Sequence, residues 1–125
     1  MTAENEQTLT VFHDGTSIFT SYGKWLHPLF ELEDFLADHP VQSEHLLLQD
    51  KIIGKAAALL IYRLRFHTLK IGILSIPGEA VLQRNGIAYA YEQLVDRIRC
   101  QTEELLADVE DPEEAYDLLK VRAGR

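Results

Sequence analysis

The first third of the chain alternates short apolar runs with turn residues. Thr8–His13 and Thr16–Ser21 are two β-rich runs joined by Asp14-Gly15, a dipeptide that favours the type I′ turn of a tight hairpin. The segment His27–Ala37 then places its apolar side chains at helical spacing, with a proline in the first turn. The pattern predicts an opening hairpin followed by a helix.

The middle of the chain continues with a strand, a helix and another strand. His45–Gln49, continued through Ile53, is a short apolar run typical of a strand buried in a sheet. Gly54 then opens an alanine- and leucine-rich segment that predicts a second helix to about Arg65. Thr68–Leu74 is rich in β-forming residues and predicts a fourth strand.

A third helix, a fifth strand and an acidic tail complete the pattern. Ser75 is the expected cap of the third helix, which Gly86 ends, and Ile87–Tyr91 predicts the fifth strand. From Glu92 onward the chain is predicted to be helical, with a strong helix start at Asp111. This tail holds ten acidic and five basic residues, so it contributes most of the net charge of -8.

The alternation of strands and helices predicts an α/β fold, because parallel strands joined by crossover helices bury the sheet under helices. We expect a three-layer α/β/α sandwich in which residues 1–125 form one domain. Within it, residues 1–7 are expected to be a flexible N-terminus and residues 92–125 a helical extension.

Composition and charge exclude several classes of function. The net charge of -8 argues against binding to nucleic acid or to anionic membranes. The longest apolar run, Ala56–Tyr62, is too short to cross a bilayer, and the polar N-terminus does not resemble a secretory signal. Cys100 is the single cysteine, so no internal disulfide can form. We expect a cytoplasmic protein.

Three segments carry a resemblance to a known family. They are Leu46–Leu60 (LLLQDKIIGKAAALL), Pro77–Tyr91 (PGEAVLQRNGIAYAY) and Cys100-Gln101-Thr102-Glu103, and GKAAALL is the most specific part. Together they resemble a prokaryotic domain-of-unknown-function family numbered 1893, over roughly residues 8–120. The resemblance and the order of elements imply a cytidine-deaminase-like fold, with a five-stranded sheet of order 2-1-3-4-5 and an antiparallel first strand. The resemblance implies no established activity.

The residues needed for zinc-dependent deamination are missing. Such enzymes use H-x-E on one helix and P-C-x-x-C at the start of the next. The matching positions here are His27-Pro28-Leu29 and Gly54-Lys55-Ala56-Ala57, which lack the glutamate and both cysteines. The five histidines have no paired ligand spacing and are expected to be surface or capping residues. We therefore predict no metal site and no cofactor.

The helix starts suggest a different kind of site. The three helix N-termini, near His27, Gly54 and Ser75, are expected at the carboxyl edge of the sheet, where open α/β folds bind ligands. Lys24 and Lys55 could add positive charge there. The pattern favours a binding module for a small anionic ligand, such as a nucleotide or a sugar phosphate. The simpler interpretation is a tight turn at Gly54 followed by a solvated lysine.

Two further functions stay open at the level of sequence. Cys100, with Glu103 nearby, could act as a nucleophile in an enzyme that also uses Lys55, although a thiol with no chemical role is the simpler interpretation. Alternatively, the apolar face of the C-terminal helix could bury itself in a second copy and form a homo-oligomer.

Overall fold

The computed structural model describes residues 8–41, 45–98 and 105–125. In these ranges the chain forms five strands and four helices, here numbered in chain order. Their bounds are β1 (Leu9–His13), β2 (Thr16–Ser21), α1 (His27–Asp38), β3 (Leu46–Ile53), α2 (Lys55–Arg63), β4 (Thr68–Ser75), α3 (Ile76–Arg84), β5 (Ala88–Val95) and α4 (Pro112–Arg122).

The five strands form one mixed sheet in the order β2-β1-β3-β4-β5. Strand β1 is antiparallel to both of its neighbours, whereas β3, β4 and β5 are mutually parallel. The predicted α/β class, the strand order, the antiparallel first strand and the C-terminal helix are confirmed. The topology is also compatible with the cytidine-deaminase-like fold that the family resemblance implies.

The opening hairpin turns where the sequence predicts. Asp14 and Gly15 have φ angles of 50° and 85°, so both residues of the turn lie in the left-handed region that a type I′ turn requires. The register of the hairpin shifts between Val11 and Phe12, which marks a bulge in the β1–β2 pair.

The central strands bury alternate side chains. Val11 on β1, Leu48 on β3 and Leu69 on β4 lie in one row across the sheet and are almost fully buried. The next row contains Gln49 and Lys70, which are exposed. The main core therefore lies between the apolar rows of the sheet and the helices that connect the strands.

Strand β5 is longer than the sequence pattern predicts. The apolar pattern indicated helix from Glu92, but the strand continues to Val95. The reason is pairing with β4, because Ile73, Leu74 and Ser75 each have a partner on this part of β5. The ladder extends the strand through residues whose local preference does not require it.

Helix α4 packs on α2 through both apolar and charged contacts. Ala115 and Leu119 are fully buried on its inner face. Arg63 of α2 forms ion pairs with Glu33 of α1 and with Glu113 of α4, and its guanidinium lies 3.5 Å from the centre of the Tyr116 ring. These contacts join the C-terminal helix to α1 and α2.

Gly72 of β4 generates a prediction about the sheet itself. A Cβ atom at this position would lie 2.6 Å from the backbone carbonyl oxygen of Lys51, so β3 and β4 would have to shift apart. We expect Gly72→Ala to lower the free energy of unfolding by about 1–3 kcal/mol, as other overpacking substitutions do. Urea denaturation of wild type and variant measures this loss.

Gly23→Ala is the matched control. The atom nearest to its added methyl group would be the flexible carboxylate oxygen of Glu31, at 3.1 Å. A flexible side chain can move aside, so this variant should lose less stability than Gly72→Ala. Equal losses would show that the close strand contact is not the cause.

Candidate functional site

A cavity of about 350 Å³ opens where α1 and α2 begin. Its walls come from the loop before α1, the end of β3, the first turn of α2 and the segment after β5, and most of the lining side chains are apolar. The lining residues are Thr8, Gly23, Lys24, Trp25, Leu26, Pro28, Asp50, Lys51, Ile52, Gly54, Lys55, Ala56, Ala57 and Ile98. The volume falls within the range of small-molecule sites.

The first turn of α2 forms one wall of this cavity. Gly54 is the N-cap residue, and within the described residues no side chain caps this helix. Its carbonyl accepts the first helical hydrogen bond, from the N–H of Ala58 at 2.9 Å. The preceding N–H groups of a helix have no partner within the helix and carry its positive dipole end. This wall is therefore suited to a negatively charged group.

Lys55 supplies a backbone N–H to the first turn of α2, but its side chain is occupied elsewhere. The residue is only 6% exposed, and its ammonium donates to the carbonyl of Ala107 and to Glu110, both at 3.1 Å. This hydrogen bond from Lys55 is the main reason why the pKa of the Glu110 carboxyl is lowered. The lysine is thus a buried anchor for the C-terminal segment and not a solvated side chain.

Asp50 is a member of the cavity that the sequence interpretation missed. Its row partners across the sheet are Leu9 and Ile71, which are 1% and 2% exposed. Burial raises the pKa of Asp50 to about 7, although backbone N–H groups of Ile52 and Lys51 oppose the shift. The protonated form of the carboxyl is therefore accessible near neutral pH, and that form can both donate and accept hydrogen bonds.

A signal for Asp50 was present in the sequence. In the strand LLLQDKII, strict alternation places this aspartate on the same face of the sheet as Leu46 and Leu48, which are both buried. A carboxyl on the apolar face of a central strand is costly to bury, and such groups are candidates for functional sites.

The loop before α1 forms the rim of the cavity. Lys24 and Trp25 are both exposed there, and Trp25 has a φ angle of 59°, which is unusual for a bulky residue. His27 is exposed and lies against the indole ring, with a distance of 5.2 Å between ring centroids. It is not among the residues that line the cavity.

Ser75 has a structural role at the start of α3. It is fully buried, and its hydroxyl accepts a hydrogen bond from the N–H of Gly78 at 3.0 Å. In the described part of the chain, no residue of α3 lines the cavity. The structure thus brings Lys24, Gly54 and Lys55 to one cavity and leaves His27 and Ser75 outside its lining.

Of the remaining candidate residues, Cys100 and Glu103 are outside the described residues. His13 and His45 flank Asp14 at the hairpin turn, with 3.0 Å between the Nδ1 atom of His45 and the carboxylate. In the described ranges, no three histidine, cysteine or acidic side chains are arranged to hold a metal ion.

The buried Lys55 generates a prediction about stability. Lys55→Met keeps most of the aliphatic stem and removes the charge, so Glu110 and the Ala107 carbonyl lose a hydrogen-bond donor. We expect the free energy of unfolding to fall by about 1–3 kcal/mol at neutral pH, which urea denaturation can measure. Lys120→Met, at an exposed position of α4, is the control and should change stability little.

The same ion pair should weaken in acid. The pKa of Glu110 is lowered in the folded protein, so its contribution is present at neutral pH and disappears as the pH falls through that lowered value. The difference between wild type and Lys55→Met should therefore shrink in acid. A difference that is independent of pH would contradict the assigned role of Glu110.

Asp50 generates a prediction in which stability changes with pH in the opposite direction, because its pKa is raised and not lowered. Its pKa of about 7 in the folded protein lies above the ordinary 3.8, so the folded state resists ionisation and loses stability as the pH rises between these values. Asp50→Asn cannot ionise. We expect this variant to raise the melting temperature, relative to wild type, more at about pH 8 than at about pH 5.

Asp38→Asn, at the exposed end of α1, is the control and should show no such dependence on pH. If Asp50→Asn changes the melting temperature equally at both values, burial of the Asp50 charge does not limit stability.

Comparison with known proteins agrees with this fold. Among curated proteins, none matches the chain. The solved structures include a similar one, the crystal structure of the DUF1893 family protein TM1506 from Thermotoga maritima, with a TM-score of 0.81 and 24% sequence identity. The match covers 93% of this chain and 80% of that chain.

Within the described ranges, no helix is long and apolar enough to span a membrane.

The family comparison gives the same result from the sequence side. The model of the family TM1506, described as a domain of unknown function (DUF1893), matches residues 1–122. The match covers nearly the whole chain and includes every strand and helix of the described fold. This protein is therefore a member of the DUF1893 family.

Proposed function

We propose that this protein is a binding module for a small anionic ligand, and that the ligand occupies the cavity between the starts of α1 and α2. The observation that carries the proposal is the presence of two unlike polar features in one mostly apolar cavity. The first turn of α2, whose N-cap is a glycine without a side chain, lies on one side, and Asp50 lies on the second half of β3. Convergent polar groups in an apolar cavity are the usual mark of a ligand site.

The anionic group of the ligand would bind at the start of α2. Backbone N–H groups and the helix dipole both favour a phosphate there. Lys24 on the rim would add a positive charge, in a protein whose net charge is otherwise strongly negative. The ammonium of Lys55 would contribute only at longer range, because it already binds Glu110.

The rest of the ligand would meet apolar walls and one carboxyl. Leu26, Ile52 and Ile98 present carbon to the cavity, and the indole of Trp25 stands at the rim. Burying sugar hydroxyls against such walls is costly unless each finds a partner. A flat nucleobase has apolar faces and a polar edge that Asp50 could bind. Of the two ligand classes, nucleotides are therefore favoured over sugar phosphates.

No specific contact favours the two alternatives. An enzyme that pairs Cys100 with Lys55 would need the lysine ammonium, which Ala107 and Glu110 hold. Assembly through the outer face of α4 would use Leu118 and Val121, which are exposed there. Both stay predictions from the sequence.

Binding can be tested with nucleoside monophosphates, hexose phosphates and inorganic phosphate as separate probes. Thermal shift would screen the panel and calorimetry would measure affinity. A nucleotide that binds only the folded protein should raise the melting temperature, and the rise should grow with the logarithm of its concentration once that exceeds the dissociation constant. Lys24→Ala should weaken its binding by about tenfold to a hundredfold, the loss expected for one hydrogen bond to a charged group. Lys70→Ala, outside this cavity, is the control.

The outcomes separate the ligand classes. Binding of nucleotides that Lys24→Ala weakens and Lys70→Ala leaves unchanged supports the proposal. If hexose phosphates bind more tightly than nucleotides, the ligand class is sugar phosphates and the proposed preference for nucleotides is wrong. If no probe shifts the melting temperature of wild type, the anionic-ligand proposal is wrong.

A further inference from the structure

Strand β5 forms an open edge of the sheet. It is eight residues long and pairs with β4 in one constant register from Ala88 to Val95. The sheet order leaves its other side without a neighbouring strand in the described structure. Most of its side chains are exposed, including Tyr91 at 43% and Leu94 at 37%. Such an edge presents unpaired backbone donors and acceptors to any chain that approaches.

The two edges of the sheet differ in how they are protected. Strand β2, at the opposite edge, has six residues and pairs across a bulge, and its Phe19 ring packs 5.2 Å from the ring of Phe35 on α1. Strand β5 has no bulge in its pairing with β4 and contains no proline or lysine. Its single charged residue is Glu92. Natural edge strands that stay unpaired usually carry such protective features.

We propose that β5 pairs antiparallel with β5 of a second copy of this chain, which joins two five-stranded sheets into one continuous sheet. A two-fold axis perpendicular to the sheet generates this pairing and keeps the two faces of the sheet aligned. Residues that lie opposite each other in an antiparallel pair point to the same face of the sheet. Neighbouring residues of a strand point to opposite faces, so the residue at the two-fold axis must lie opposite its own copy and not opposite a neighbour.

The charge of Glu92 selects the register. The registers centred on Tyr91 and on Glu92 pair seven of the eight residues of the strand, more than any other register of this kind does. Centring on Glu92 would place the two glutamates directly opposite each other, which is unfavourable. Centring on Tyr91 places the two tyrosines opposite each other and sets Glu92 of each copy opposite Ala90 of the other. Cross-strand aromatic pairs are favourable.

The selected register also makes the surfaces complementary in charge. On β4, the row partner of Ala90 is Lys70, which is exposed on the same face of the sheet. Glu92 of the second copy would therefore lie two strands away from Lys70, with only the small alanine between them. At about 4.8 Å per strand, this span is within reach of the two long side chains. The contact occurs twice, because the interface is symmetric.

A charge-exchange experiment tests this pairing in the full chain. Sedimentation equilibrium over a wide range of concentration would measure the dimer dissociation constant of wild type. K70E and E92K each replace two attractive pairs by two repulsive ones, so each should weaken the dimer by about twofold to thirtyfold. The double variant K70E/E92K should restore wild-type association. Both positions are exposed, and melting curves would verify that each variant folds.

V121E is the control for a different interface. Val121 is 78% exposed on α4, far along the chain from β5, and the proposed pairing does not involve it. Dimerisation of wild type that the single charge reversals weaken, the double variant restores and V121E leaves unchanged supports the proposal. A wild-type protein that stays monomeric at all concentrations overturns it. It is equally overturned if V121E abolishes the dimer, or if K70E and E92K leave it unchanged.

Discussion

The ion pair between the buried ammonium of Lys55 and the exposed carboxylate of Glu110 is the interaction on which the shape of the site depends. Lys55 stands in the first turn of α2, and its side chain leads away to Ala107 and Glu110. Arg84 of α3 binds the same carboxylate, so α2, α3 and the C-terminal segment meet at one acidic group. As a result, the ammonium of Lys55 is already bound by groups of the protein, although the residue lines the cavity.

Asp50 differs from Lys55, because burial of its carboxyl is the main cause of its raised pKa. A leucine at this position would pack beside Leu9 and add to the core. The aspartate carboxyl, in contrast, either stays protonated or carries a charge that water solvates poorly. Proteins place such groups where a ligand or a reaction needs them, although structural networks also produce shifted pKa values. In this chain the residue faces a cavity, which favours the ligand interpretation over a purely structural one.

Family membership and the binding proposal are separate kinds of conclusion. The DUF1893 match and the similarity to TM1506 concern the fold, and neither carries a described activity. Folds of this kind support many functions, so function must be argued from the residues at a site.

The sequence by itself determined the elements whose signals are local. Asp14-Gly15 gives the hairpin turn, Ser75 caps α3 and Asp111 caps α4, and each of these depends on bonds or angles within a few residues. The alternation of apolar runs then led to the α/β class, and the family resemblance supplied the order of the sheet.

Tertiary structure alone decided what the candidate site contains. Glu92–Val95 became strand because β4 offers a ladder, and the ammonium of Lys55 is bound by Glu110, which lies 55 residues later in the chain. Asp50 acquired its raised pKa from neighbours on other strands and elements. Burial and ion pairing depend on residues brought together from distant parts of the chain, and no local pattern records which ones will meet.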